Sequence, residues 1–322
     1  MRRKISLILS VFICLVLTGC NEPAQIVDCG FYFDTYVQIH VYGEDKQYLK
    51  ECLEICESCD KLYSAHDPDS LLYKLNHGES GDYSALYPLI KTSKDYNDLT
   101  GGAVNPAIGA VSLLWDFSDK DNPSFPGSGN IKDALIHTDP SSIILKDNNV
   151  SLTDPEAKID LGFIAKGAVS ELIRDHLIEK GVKSALINLG GNIVVIGSKP
   201  GGEAFTVGIK YPFSGDVIVT VEVCDAAVVT SGIYERNFVY NDHFYHHILD
   251  PETGFPVENE LLSVTIVSSD PTKADALSTA CMVMGMEKGL EFIENTDDAE
   301  ALFIDNHYNI YTTSGFPKYE YQ

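Results

Sequence analysis

Five groups of side chains in this 322-residue sequence have the types and spacings of reactive sites. His243-x-x-His246-His247 presents imidazoles at a spacing seen among zinc ligands. Neighbouring residues on a strand point to opposite faces, so at most one of His246 and His247 enters a given site. Cys52-x-x-x-Cys56-x-x-Cys59 has the spacing of thiolates that hold an iron–sulfur cluster. Those cysteines also fall at i, i+4 and i+7 of a helical pattern, and this reads as one buried apolar face. Asp160-Leu161-Gly162-Phe163-Ile164-Ala165-Lys166 sets a carboxylate before a helix, where it also suits an N-cap. Lys166 then stands in the first turns, where the helix dipole disfavours a cation, so it requires an anionic partner. Asn188-Leu189-Gly190-Gly191-Asn192 follows a strand, and its glycines permit either close approach to a ligand or a tight turn. Asp275 and Thr279 lie four apart on one helix face. Two oxygen ligands at that spacing suit Mg²⁺, which completes its shell with phosphate oxygens.

The elements that must position these groups are legible in outline. Residues 31–42 alternate like a strand. Residues 45–64 form an amphipathic helix carrying the three cysteines. Residues 71–76 and 88–100 are helical, the second ended by Gly101-Gly102, and 117–130 read as a loop. A hairpin joins 143–146 to 150–152 around Asp147-Asn148-Asn149. A helix over 163–180 stops at Gly181. Strands follow at 185–187, 193–196, 205–210, 217–223, 227–230, 238–240 and 262–267. A helix over 273–286 and closing strands within 302–312 complete the chain. The pattern predicts an α+β fold of mostly antiparallel sheets with packed helices.

Arg2, Arg3 and Lys4 precede an apolar run, residues 5–17, too short to span a bilayer. Leu17-Thr18-Gly19-Cys20 has the form of a bacterial lipoprotein cleavage box. Residues 1–19 are therefore expected to be a lipoprotein signal peptide, Cys20 the lipidation site, and 20–30 a lipidated tether. Residues 31–322 are expected to form a single unit of one or two lobes. The expected location is the extracytoplasmic face of a bacterial cell membrane, with the lipid as anchor. Losing the three basic residues takes the formal charge from −24 to −27. Such a surface repels phosphate backbones and argues against nucleic acid as a partner. An anionic ligand here needs a local cation, a metal or helix N-termini. The six cysteines beyond Cys20 lack the spacing of a disulfide-stapled miniprotein.

Seven segments, in order, resemble the ApbE family of FAD:protein FMN transferases. They are SAHDPDSLLYKLN (64–76), GGAVNPAIGAVSLLWDF (101–117), DLGFIAKG (160–167), ALINLGGN (185–192), VVTSGIYER (228–236), HHILDPETGFPV (246–257) and ADALSTA (274–280). The resemblance covers about residues 31–316. It implies an ApbE-like, T-fold-related architecture and Mg²⁺-dependent transfer of FMN from the substrate FAD to a Ser or Thr hydroxyl. The acceptor would be a flavoprotein subunit of a membrane redox complex, the new linkage a phosphoester, and the released product AMP.

By the same resemblance, Asp275, Thr279 and the backbone carbonyl of Phe163 are the Mg²⁺ ligands. Asp160, Lys166 and His247 contact FAD, with His247 near the reacting pyrophosphate and positioned as a base. Lys166 and the metal neutralise pyrophosphate charge, so Lys166, Asp275 and His247 are the catalytic set. Ala103, Val104 and Asn105 line the flavin nucleotide pocket, together with position 66. The chain departs from the family pattern there, with His66 in place of an aromatic residue. It departs also at Phe33-Asp34-Thr35, in place of Met-Gly-Thr, and at Asn105, often Asp. Two alternatives stand beside transfer: Mg²⁺-dependent hydrolysis of FAD to FMN and AMP, and FAD binding without chemistry. Within HHILDPETGFPV, His247 is the expected pyrophosphate contact. His246 faces away, and 250–254 is the turn that aims the strand.

Overall fold

The computed structural model describes residues 24–43, 46–117 and 123–322. The expected signal peptide and the lipidation site Cys20 lie outside the described residues. The strands are β1 (Gln25–Tyr32), β2 (Thr35–Tyr42), β3 (Ile143–Lys146), β4 (Asn149–Leu152), β5 (Ser184–Leu189), β6 (Asn192–Gly197), β7 (Phe205–Lys210), β8 (Val217–Val223), β9 (Ala227–Gly232), β10 (Asn237–Tyr240), β11 (His243–His246), β12 (Leu261–Ser268), β13 (Glu300–Asp305), β14 (Ile310–Thr312) and β15 (Tyr319–Tyr321). The α-helices are α1 (Gln47–Tyr63), α2 (Leu71–Asn76), α3 (Tyr87–Leu99), α4 (Gly109–Ser112), α5 (Ser128–Leu135), α6 (Ala165–Glu179), α7 (Pro271–Met284) and α8 (Met286–Glu294).

An eight-stranded sheet in the order β1-β2-β5-β6-β9-β12-β13-β14 forms the frame. Its pairings are antiparallel throughout. Period-two side-chain alternation gives it two apolar faces. Val194, Ile196, Val229, Val264 and Ile266 pack with α1, α6 and α7 on one face. Val195, Val228, Val267, Leu302 and Ile304 meet the three-stranded sheet β15-β8-β7 on the other. Every residue of β12 is buried, as expected of a central strand covered on both sides. The architecture is α+β.

Two smaller cores complete the fold. One gathers Leu72, Leu86, Ile90, Ile143, Val150 and Ile159 around α2, α3 and the β3–β4 hairpin. The other surrounds Trp115 with Phe238, Leu249 and Ile131, beneath the β10–β11 hairpin. Cys52, Cys56 and Cys59 lie buried in the main core, where desolvation raises their thiols to about 12, 12 and 11. Protonated thiols in an apolar core are structural, not cluster ligands. Among the described residues no helix is long and apolar enough to cross a membrane.

Several boundaries differ from expectation. The polar tether expected through residue 30 is strand β1 from Gln25 onward, paired with β2 along its whole length. Because β1 is an edge strand with Val27 and Phe31 exposed, no apolar alternation marks it. The strand expected to run unbroken over 31–42 turns back at Phe33 and Asp34, whose φ values of 54° and 55° match a two-residue hairpin turn. The loop expected over 117–130 is already helical at Ser128.

Candidate active site

Helix α7 carries the centre of the site. It starts where Asp270 accepts a hydrogen bond from Lys273 N and Pro271 occupies the first turn, a strong start signal. Asp275, one turn in, is 2% exposed. A buried carboxylate needs donors, and three elements bring them. Gly167 N–H of α6 donates to Oδ2 at 2.8 Å. Asn192 Nδ2 of β6 donates to Oδ1 at 2.8 Å. Lys166 Nζ lies 3.7 Å from Oδ1.

Local backbone explains each donor. Gly190 and Gly191, with φ of 61° and 100°, make the tight β5–β6 turn, closed by Gly191 N–H donating to Asn188 Oδ1. Asn192 follows immediately and reaches Asp275. The glycine pair thus makes the turn; the ligand-approach alternative is not needed to account for it. At Gly167 the helices nearly touch: a Cβ there would lie 2.4 Å from Pro271 O and 2.7 Å from Asp275 Cβ. The Gly167 amide goes to Asp275 instead of closing a helical turn onto Phe163, and the α6 ladder begins with Ala168 N–H donating to Ile164 O. Helix α6 therefore starts at Ala165, two residues later than expected. Asp160 is not its N-cap. Its Oδ1 accepts from Gly162 N–H at 2.8 Å, and Oδ2 accepts from the Ser112 hydroxyl.

The donor set fits Mg²⁺. Asp275 supplies a carboxylate, and Thr279 a hydroxyl one turn later on the same helix. The Phe163 carbonyl is released from the helix ladder. All are hard oxygen donors, and one carboxylate suffices when phosphate and water complete the shell. Among the described residues no cluster of three or more His, Cys, Asp or Glu side chains gathers as a metal site. His246 is buried and its Nε2 hydrogen-bonds to Val257 O at 3.1 Å.

His247 follows β11 and pairs with Arg236. Its N–H donates to Arg236 O at 3.1 Å, and its Nδ1 lies 3.2 Å from the same carbonyl. A carbonyl only accepts, so Nδ1 carries the proton and Nε2 keeps its lone pair. Part of the residue reaches solvent, yet the ring is held neutral down to about 3, first by desolvation, then by the Arg236 and Lys166 cations. An unprotonated imidazole beside two cations suits deprotonation of a hydroxyl near an anion. Sequence reasoning passes over Arg236 as an individual residue. Its scarcity is the available signal, since it is one of only four arginines in an acidic chain.

The remaining expected residues are placed on other segments, and the cleft that two of them border is not lined by Asp275, Lys166, Arg236 or His247. Ala103 and Asn105 border a cleft of 1340 Å³ together with Thr138, Asp250, Glu252 and Met284. The Asn105 side chain also pins its own loop, donating to Thr138 O and accepting from Ala107 N–H, each at 2.8 Å. Val104 is buried, its carbonyl held by Asn97. His66 is exposed beyond the end of α1, in a turn braced by Ser64 Oγ. The turn at 250–254 is braced as expected: Asp250 Oδ1 accepts from Glu252 N–H, and Trp115 Nε1 donates to Gly254 O.

The profile of the ApbE family matches residues 33–303. The chain belongs to the ApbE family. A FAD:protein FMN transferase of Treponema pallidum is 32% identical over 328 residues, covering 92% of this chain and 90% of the relative. Another of the same name, from Klebsiella pneumoniae, is 31% identical and covers 86% and 88%. The ApbE protein of Thermotoga maritima superposes with a TM-score of 0.83 at 31% identity, covering 90% of this chain and 97% of that one. The flavin transferase ApbE of Vibrio cholerae does so at 0.80 and 27%, covering 91% and 98%.

Proposed function

We propose that this ApbE-family chain transfers FMN from FAD to a Ser or Thr hydroxyl of an acceptor protein, forming a phosphoester and releasing AMP. The observation that carries this reading is the meeting of Asp275, Lys166, Arg236 and a neutral His247 on four separate chain segments. The acceptor oxygen attacks the phosphorus of the FMN half, and the bond from that phosphorus to the bridging oxygen breaks. AMP leaves with the bridging oxygen and the electron pair, and the hydroxyl proton passes to His247 Nε2. Lys166 and Arg236 offset the charge on the pyrophosphate. Mg²⁺, held by Asp275, Thr279 and the Phe163 carbonyl, would supply Lewis-acid stabilisation of that charge. Asp160, Ala103 and Asn105 would hold the nucleotide. A lipid on Cys20 would keep the enzyme at the outer side of a bacterial membrane, beside acceptor subunits of redox complexes.

The test mixes the protein with FAD, Mg²⁺ and a protein bearing an exposed threonine segment, then reads flavin fluorescence on a denaturing gel. Covalent flavin on the acceptor, lost with Asp275→Ala and with chelator, is expected. Free FMN forming at one rate with or without acceptor would identify a hydrolase. Bound FAD with no product would identify a carrier. Either outcome overturns the proposal.

A further inference from the structure

Ser231, on β9, has no task in the reaction as described so far, although its hydroxyl faces α7 beside the Asp275–Thr279 pair. Ser278 is fully buried, and its hydroxyl donates to the backbone carbonyl of Asp275 at 2.9 Å. With its one proton given to that carbonyl, which cannot donate in return, Ser278 has none left for a second partner. Ser231 Oγ lies 2.8 Å from Ser278 Oγ and must be the donor of that bond. Thr279 Oγ1 lies 3.1 Å from Ser231 Oγ. With the Ser231 proton directed at Ser278, Thr279 is the donor in turn. With the Ser278 proton on the Asp275 carbonyl, one proton per hydroxyl gives the whole chain a single direction, from Thr279 through Ser231 and Ser278 to that carbonyl.

We infer that Ser231 and Ser278 are positioning residues that fix the Thr279 hydroxyl proton away from the cation, leaving the lone pairs of Oγ1 free to bind it. This rests on the reading of Asp275 and Thr279 as Mg²⁺ ligands. A neutral hydroxyl ligates through a lone pair, so a proton turned toward the metal would oppose binding. Left alone, a helical threonine tends to donate to the carbonyl three or four residues back. Here Ser278 already donates to the Asp275 carbonyl, and Ser231 gives Thr279 a different acceptor. Groups that orient metal ligands through hydrogen bonds change metal affinity by about 10- to 100-fold when removed. Ser278 makes the more telling case, since it stands two hydrogen bonds from the Thr279 proton.

The experiment titrates metal-free protein with Mn²⁺ in the absence of FAD, reading unbound Mn²⁺ by its paramagnetic resonance signal. Melting curves of the same metal-free samples check the fold. Ser231→Ala and Ser278→Ala are each expected to weaken Mn²⁺ about 10-fold. Ser231→Thr, which keeps a hydroxyl, should stay within about twofold of the wild type. The double alanine variant should bind no more weakly than Ser231→Ala, because one break already removes the direction. Wild-type affinity in Ser278→Ala, or additive losses in the double variant, would overturn the inference while leaving the metal reading intact. Binding that ignores Asp275→Ala would remove the metal reading and this inference with it.

Discussion

Replacing Gly167 by alanine should damage the site through geometry alone. The added Cβ would sit 2.4 Å from Pro271 O and 2.7 Å from Asp275 Cβ, below the 3.0 Å floor that real Cβ contacts respect. Backbone cannot move aside as a side chain does, so α6 and α7 must part by about 0.6 Å at that crossing, the difference between 2.4 and 3.0 Å. The Gly167 N–H to Asp275 bond, 2.8 Å at rest, lies on the line of separation. Forced overpacking costs about 1–3 kcal/mol, and weakening a donor to a buried carboxylate costs about 1–3 kcal/mol more. Better helix propensity returns at most about 1 kcal/mol. A net loss of about 1–5 kcal/mol is expected, read by urea unfolding of metal-free protein, with weaker Mn²⁺ binding alongside. Gly129→Ala is the control: it also lies in a helix, and a Cβ added there meets nothing within 4 Å. That variant should match or slightly exceed the wild type. Gly167→Ala with wild-type stability and wild-type Mn²⁺ affinity would refute the close-crossing argument.

Two further outcomes follow from buried titratable groups. Burial holds His246 down to about 4 and His247 to about 3, while the unfolded chain protonates both near 6.5. The unfolded state therefore binds protons first, and stability falls as pH drops below about 6.5, toward 4 for His246 and toward 3 for His247. From pH 7 to 5 the loss is at most about 2 kcal/mol per histidine. Urea midpoints at the two pH values should show it, and His246→Gln should shrink the difference; an equal difference in that variant contradicts the assignment. Cys29 and Cys224 are exposed, whereas Cys52, Cys56, Cys59 and Cys281 are buried. In protein starting at residue 21, an aromatic disulfide reagent should modify two thiols in native buffer and six in denaturant. More than two fast native thiols would mean that the α1 face is open.

Local periodicity is enough to find Asp275 and Thr279, because four residues on a helix fix a shared face. It also locates the buried cysteines of α1 and the strands on either side of Gly190-Gly191. What stays hidden acts across the chain. Gly167 and Asn192 reach Asp275 over sequence gaps of 108 and 83 residues, which no local pattern encodes. Arg236 is felt through its charge on a histidine eleven residues later, across the β10–β11 hairpin. Strand β1 escapes a reading by pattern because this edge strand buries one face only in part, around Ile26 and Tyr32, and exposes Val27 and Phe31 on the other. The start of α6 is displaced from its expected place because a tertiary hydrogen bond takes the amide that helix propensity would assign to Phe163.

The β1–β2 hairpin also acts as a ruler. Its turn lies at the active-site end, where Asp34 stands 3.9 Å from Arg236. The chain enters at Gln25, eight strand residues earlier, or about 26 Å along the strand. The residues between Cys20 and Gln25 add at most about 17 Å when fully extended. With the anchor proposed at Cys20, the turn at Asp34 can stand no more than about 43 Å from the lipid attachment point, and the proposed reaction site only as much farther as it lies from that turn. Acceptor threonines borne on domains that project farther than this stand-off would be out of range, however well their local sequence fits.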